Sequence, residues 1–469
     1  MTETVPVGLA EGADSDAATP LHVVGADGLD AWAAGQPPSV GRWLRRIGYK
    51  AGPGELAVAP SDDAGGAVAV IGDPAKADGD RPLRAFGAAP GGLPLGSYRL
   101  AHPLDPVAAS RLALGWALGA YAFERYTPRK RAPALLIWPD GADRAGVASM
   151  AHATQLARDL INTPAEDMGP SELTAAAETL ADDYDAAIRV IVGDDLLKEN
   201  FPTIHAVGRA SDDPPRLIDI RWGEEAHPKV TLVGKGVCFD SGGLDLKPAS
   251  GMLTMKKDMG GGANVLALAR MVMDDKLKVR LRVLIPAVEN SVSGNAFRPL
   301  DIIRSRGGIT VEVGNTDAEG RLILCDALAF ACEEQPALLV DMATLTGAAR
   351  VALGTELPAL FCNDEPLAAA LLAGAAEVCD PLWRMPLYAP YRKLLETKIA
   401  DTSNVSDGPY AGAITAALFL EKFVKPVVPW AHIDLMAWNP SDQPGRPKGG
   451  ELQGPRAILA ALRGRYGRV

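Results

Sequence analysis

The chain has 469 residues, with 47 Lys and Arg against 58 Asp and Glu, a formal net charge of -11 and a sequence pI near 5.2. That balance argues against nucleic acid as the main partner, because phosphate binding needs clustered Lys and Arg. Hydrophobic residues at 48% and charged residues at 22% describe an ordinary globular protein, and its length suits two or three domains at roughly 100–200 residues each.

In chain order, Met1 to Pro20 is polar and acidic and lacks the basic and apolar regions of a signal peptide. Residues 1–20 are expected to be a disordered tail. Residues 21–145 are expected to form a small N-terminal α/β domain. It has a strand at Ala67–Ile71, a helix from Ala108 to Arg125, a basic turn at Pro128–Arg131 and an apolar piece at Ala134–Trp138. A helix over 146–162 is ended by Asn162-Thr163-Pro164, since the residue before a proline is pushed out of the helical region. We take 146–164 as a linking helix.

From 165 to 469 short apolar runs alternate with helical stretches. Leu217–Ile220, Val230–Val233, Leu281–Val288, Ala337–Met342 and Val428–Leu435 are predicted as strands covered on both faces. Helices are predicted over 261–274, 321–334 and 412–424. This alternation predicts a larger C-terminal α/β domain with a central, mostly parallel sheet. No apolar stretch reaches the ~20 residues that span a membrane, so a cytoplasmic protein without a membrane partner is expected. The five cysteines form no CxxC pair and fit reduced thiols. Cys325 and Cys332 share one helix face, as core residues would. His432, in Trp430-Ala-His-Ile-Asp434, is expected to be a core histidine on a buried strand.

Three segments carry candidate chemistry. Val233–Gly243 continues to Asp245 and Lys247, Met255–Gly262 opens a helix, and Gly314–Arg321 opens another. In an open α/β sheet, strand ends and helix starts border the ligand crevice. Asp317 and Glu319 are two residues apart, so in extended backbone both would point one way, with Arg321 beside them. A plain salt bridge at a helix start is the lesser, alternative reading of that segment. Neither Gly-rich segment has the P-loop or dinucleotide pattern. Four acids in one crevice, Asp240, Asp258, Asp317 and Glu319, would repel one another strongly, and such clusters usually hold cations. Four carboxylates suffice for two ions ~3.5–4 Å apart, the geometry of many two-metal hydrolases.

The stretches Val233-Gly-Lys-Gly-Val-Cys-Phe-Asp-Ser-Gly-Gly243 and Asn315-Thr-Asp-Ala-Glu-Gly-Arg-Leu322 resemble the leucyl aminopeptidase, or cytosol aminopeptidase, family of di-metal exopeptidases. Lys247 and Asp258 stand seven and eighteen residues after Asp240, as in that family. Asp341–Gly347 and Ala413–Ala417 agree too, so the resemblance runs over roughly 150–440. It implies that 165–469 is the catalytic domain. Asp240 and Glu319 would bridge two divalent ions, with Lys235 and Asp258 completing one site and Asp317 the other. Lys247 would polarise the scissile carbonyl, and Arg321 would hold a bicarbonate serving as the base. Met255, Asn315, Thr344 and Gly347 would line the site for the first side chain. Zn²⁺, Mn²⁺, Mg²⁺ and Co²⁺ all suit these ligands. The resemblance further implies a homohexamer acting on short peptides with a leucine-like first residue. The competing readings are a catalytically silent hexameric scaffold and a di-metal amidase or dipeptidase with a special substrate. Two departures stand out: Met436–Pro440 is bulkier than in many members, and Tyr410-Ala411 replaces a common double glycine before Gly412.

Overall fold

The computed structural model describes residues 5–12, 18–60 and 67–467. Two compact units emerge, Met1–Gln155 with Asn439–Lys448, and Leu156–Trp438 with Gly449–Val469.

The first unit contains a six-stranded sheet. Its order is Leu9–Ala10, Leu135–Ile137, Ser97–Leu100, Thr19–Val24, Ala67–Gly72, Leu56–Pro60. All neighbours are parallel except the last pair. The helix Pro106–Ala120 starts at Asp105, whose carboxylate accepts from the amides of Val107 and Ala108. It ends at Ala120 rather than Arg125, where the Arg129 guanidinium donates to the Ala120 carbonyl and satisfies a terminal acceptor.

The expected tail over 1–20 is corrected. Apolar, buried Leu9 draws Leu9–Ala10 into the sheet, and Thr19 already begins the next strand. Residues 1–4 and 13–17 of that stretch lie outside the described residues. Asn439–Lys448, placed by the sequence with the C-terminal domain, belongs to the first unit. There Gln443 accepts from Arg84 at 2.7 Å, and Arg446 faces Asp80 at 3.4 Å.

The second unit contains a nine-stranded sheet. Four neighbouring strands at its centre run parallel, in the order Trp430–Asp434, Leu338–Ala343, Lys229–Gly234 and Arg280–Asn290. Their near-continuous apolar runs fit a sheet covered on both faces. Arg216–Trp222 and Ala187–Val192 add antiparallel strands on one flank. Ala359–Cys362 adds one on the other. The sequence reading missed Ala187–Val192 and Ala359–Cys362. The helices Gly260–Asp274 and Glu319–Glu333 are buried along almost their whole length. Cys325 and Cys332 sit in the core on the second of these. His432 is fully buried on its strand, its Nδ1 2.5 Å from Asp341, which also accepts from the Trp430 indole at 2.7 Å. Among the described residues no helix is long and apolar enough to cross a membrane.

Candidate metal centre

The centre forms where parallel strands end. Lys235 follows Lys229–Gly234, Asn290 closes Arg280–Asn290, and Thr344 follows Leu338–Ala343. Asp240 closes Gly236–Asp240, a segment expected to be loop. It is a short strand beside the end of Arg280–Asn290, because Val237 and Cys238 are buried there. Asp258 lies on the 3-10 turn Met255–Met259 that leads into Gly260–Asp274. This helix comes close enough for its backbone to meet that of the sheet. A Cβ on Gly261 would stand 2.1 Å from the Met342 carbonyl oxygen, so only glycine allows the approach.

Asp240, Asp317 and Glu319 offer carboxylate oxygens within 4.8 Å of one another. The two-residue spacing in the third loop brings Asp317 and Glu319 together, but not through extended backbone. Ala318 has φ −112° and ψ 41°, and Glu319 already opens the helix Glu319–Glu333. Glu319 is buried, while Asp317 stays exposed at the mouth.

Two ammonium groups sit between pairs of these acids. Lys235 Nζ is 2.5 Å from Asp258 and 2.8 Å from Glu319, at 3% exposure. Lys247 Nζ is 2.8 Å from Asp240 and also bonds Asp317. Asp258 therefore joins the cluster through Lys235 rather than directly. A Cβ on Gly320 would lie 2.7 Å from Lys235 Nζ, so glycine is needed there to seat the lysine.

The charges strain against each other. Burial raises the Glu319 carboxyl to about 8, and neighbouring Asp240 adds to the rise. Burial and Asp240 together lift Asp317 to about 6. Burial alone would lower Lys235, but Asp258, Glu319 and Asp240 outweigh it and hold the ammonium charged. Among the described residues Glu319 Oε2 is buried without a hydrogen-bond partner. A buried acceptor without a partner is costly, and one on a residue that clusters with two further carboxylates fits a bound cation. The residues present suit divalent metals: hard oxygen donors, with one amine if Lys235 gives up its proton.

Other residues hold these ligands, and two of them, Asn290 and Asn404, come from remote segments with no local signal in the sequence. Asp240 accepts from the Asn290 side chain and the Gly242 amide, both at 2.9 Å. Thr316 Oγ1 donates to the Gly242 carbonyl at 2.7 Å, and its amide donates to Asp245 at 2.8 Å, which ties the first loop to the third. Asn404 accepts from the Gly314 amide at 2.7 Å and donates to the Asn315 carbonyl at 2.8 Å.

The remaining expected residues take these positions. Arg321 is buried and donates to the Asn404 carbonyl at 2.5 Å, and burial lowers its guanidinium to about 10. Asn315 accepts from the Asp317 amide at 2.6 Å. The Thr344 hydroxyl donates to Asp258 at 2.7 Å, so it orients a ligand. Met255 is buried at the start of its turn, and Gly347 is exposed at the start of the helix Gly347–Leu353.

Residues 155–459 match the family model of the cytosol aminopeptidase catalytic domain, and 19–139 match that of the M17 aminopeptidase N-terminal domain. A probable cytosol aminopeptidase of Leifsonia xyli is 38% identical, over 96% of this chain and 95% of the relative. The crystal structure of the cytosol aminopeptidase of Coxiella burnetii superposes with a TM-score of 0.91 at 46% identity, covering 96% of this chain and 97% of that one. The bottromycin maturation enzyme BotP in complex with Mn gives 0.85 at 34% identity, over 96% and 100%. The chain belongs to the cytosol aminopeptidase family of metallo-exopeptidases.

Proposed function

We propose that this chain releases N-terminal residues, leucine-like ones preferred, from short peptides with two divalent cations in the cluster described above. The observation that carries this reading is the clustering of Asp240, Asp317 and Glu319 within 4.8 Å of one another, with one Glu319 oxygen buried and unpartnered among the described residues. Asp240 and Glu319 would be shared by both ions, Lys235 and Asp258 would complete one site, and Asp317 the other. When bound, the ions would acidify a water and polarise the peptide carbonyl.

The chain's own groups supply the rest. Lys247, largely buried beside Asp240 and Asp317, stays charged because those carboxylates outweigh its burial. That fixed cation would face the negative charge developing on the scissile oxygen, where such a group is worth several kcal/mol. Arg321 would hold a bicarbonate, a buried anion partner that takes and passes a proton. Met255, Asn315, Thr344 and Gly347 would bound the space for the first side chain. The active form would be a cytoplasmic homohexamer, with Mn²⁺ or Zn²⁺ as its ions, and Mg²⁺ or Co²⁺ also accepted by the same oxygens. Hydrolysis of leucine p-nitroanilide against a panel of aminoacyl p-nitroanilides tests the preference; equal rates across the panel would sink the leucine-like assignment.

A further inference from the structure

The first unit contains a cavity of about 460 Å³ that peptide hydrolysis does not use, with Gly12, Arg99, His102, Trp138, Asp140 and Arg144 among its lining residues. Volumes of about 300–1,000 Å³ are those of small-molecule sites. Its place in the fold is telling. Leu9–Ala10, Leu135–Ile137 and Ser97–Leu100 are consecutive parallel neighbours. Gly12, Trp138 and His102 each stand just past the carboxyl end of one of them. Strand order reverses close by, since Ala67–Gly72 and Ser97–Leu100 lie on opposite sides of Thr19–Val24. Open α/β sheets bind ligands outside the carboxyl ends of strands near such a reversal.

The lining chooses the ligand class. Among the described residues its lining carries two arginines and a histidine with one acid, Asp140, while Glu11 beside Gly12 pairs with Arg144. The Arg99 guanidinium has no hydrogen-bond or ion-pair partner among the described residues, and the side chain is exposed. Arg144 lies over the Trp138 ring, 5.4 Å from its centroid, and meets Glu11 at 3.1 Å. The His102 ring packs edge-on against buried His22 at 5.4 Å, and His22 is itself fixed by the Trp32 indole at 3.0 Å. Guanidinium forks match the oxygens of phosphates and carboxylates. We propose that this cavity binds a small oxyanion-bearing molecule, a phosphate or a carboxylate, anchored by the unpaired guanidinium of Arg99, with Arg144 held beside it by Glu11 and Trp138.

The test is calorimetric titration of the metal-loaded protein with inorganic phosphate and, separately, with acetate. It reads binding rather than turnover, so it stands apart from the peptidase reading. The catalytic centre can also take anions, and the exposed substitution Arg99→Ser separates the two places. Binding that weakens at least tenfold in Arg99→Ser supports the cavity. A response to phosphate alone then assigns phosphate compounds, and any response to acetate assigns carboxylates. Absence of binding for both anions, or equal affinity in wild type and Arg99→Ser, overturns the proposal.

Discussion

Glu319 holds its proton up to about 8 through burial first and Asp240 second, and Asp317 holds its own to about 6. Both carboxylates must lose protons to bind a cation, so binding releases them. The sign follows: metal affinity falls as pH drops through about 8 toward 6. We expect Mn²⁺ titrations between these limits to show affinity climbing with pH, by up to about tenfold per unit for each proton released. Glu319→Gln should flatten that climb and weaken binding. A pH-independent affinity in the wild type would contradict the electrostatic account.

Lys257 poses the opposite problem. It is 1% exposed, its Nζ has no hydrogen-bond partner among the described residues, and burial lowers it to about 7. Its folded value lies below the usual lysine value, so its contribution to stability is present above about 10.5 and lost as pH falls through about 7. Lys257→Met removes an uncompensated buried amine, and we expect it to stabilise the protein by about 1–3 kcal/mol at neutral pH. Urea unfolding checks this; a loss of stability would mean that the amine has a partner when metals are bound.

Among elements, the approach of the helix Gly260–Asp274 to the strand Leu338–Ala343 depends on Gly261. Gly261→Ala should force them apart, costing about 1–3 kcal/mol or more, and should shift Asp258 and Lys235 with them. The expected outcome is a lower urea midpoint together with lost metal binding; unchanged values for both would show that the contact yields. Much of this layout was legible in the sequence. The apolar runs announced the four parallel strands because a sheet covered on both faces needs little alternation. The Asp317–Glu319 spacing announced the two carboxylates, though a helix start rather than a strand brings them together. Gly236–Asp240 was hidden because its glycine and acid resemble loop chemistry, and the residues it pairs with lie about fifty positions on. Asn290 and Asn404 could not be found, since each meets the site only through folding of remote segments.

At the scale of the whole molecule, large apolar side chains remain exposed: Val351 at 90%, Tyr410 at 83%, Leu253 at 82% and Val427 at 80%. Single exposed apolar residues are ordinary on a protein surface, and only where they adjoin in a patch do they mark an interface. With the homohexamer proposed above, sedimentation velocity should give a single species of six chains, and Tyr410→Asp should shift it toward smaller ones. A monomer at micromolar concentration would contradict the assembly.

The peptidase activity proposed above depends on bound divalent metal, and hydrolysis of leucine p-nitroanilide reports that dependence. Activity should vanish when the purified protein is stripped by chelator and return when Mn²⁺ or Zn²⁺ is restored. Asp317→Ala should not recover, while still folding as judged by its far-UV spectrum. Absence of hydrolysis with either metal, on this substrate and on a panel of dipeptides, would contradict the account, as would activity that survives complete removal of metal.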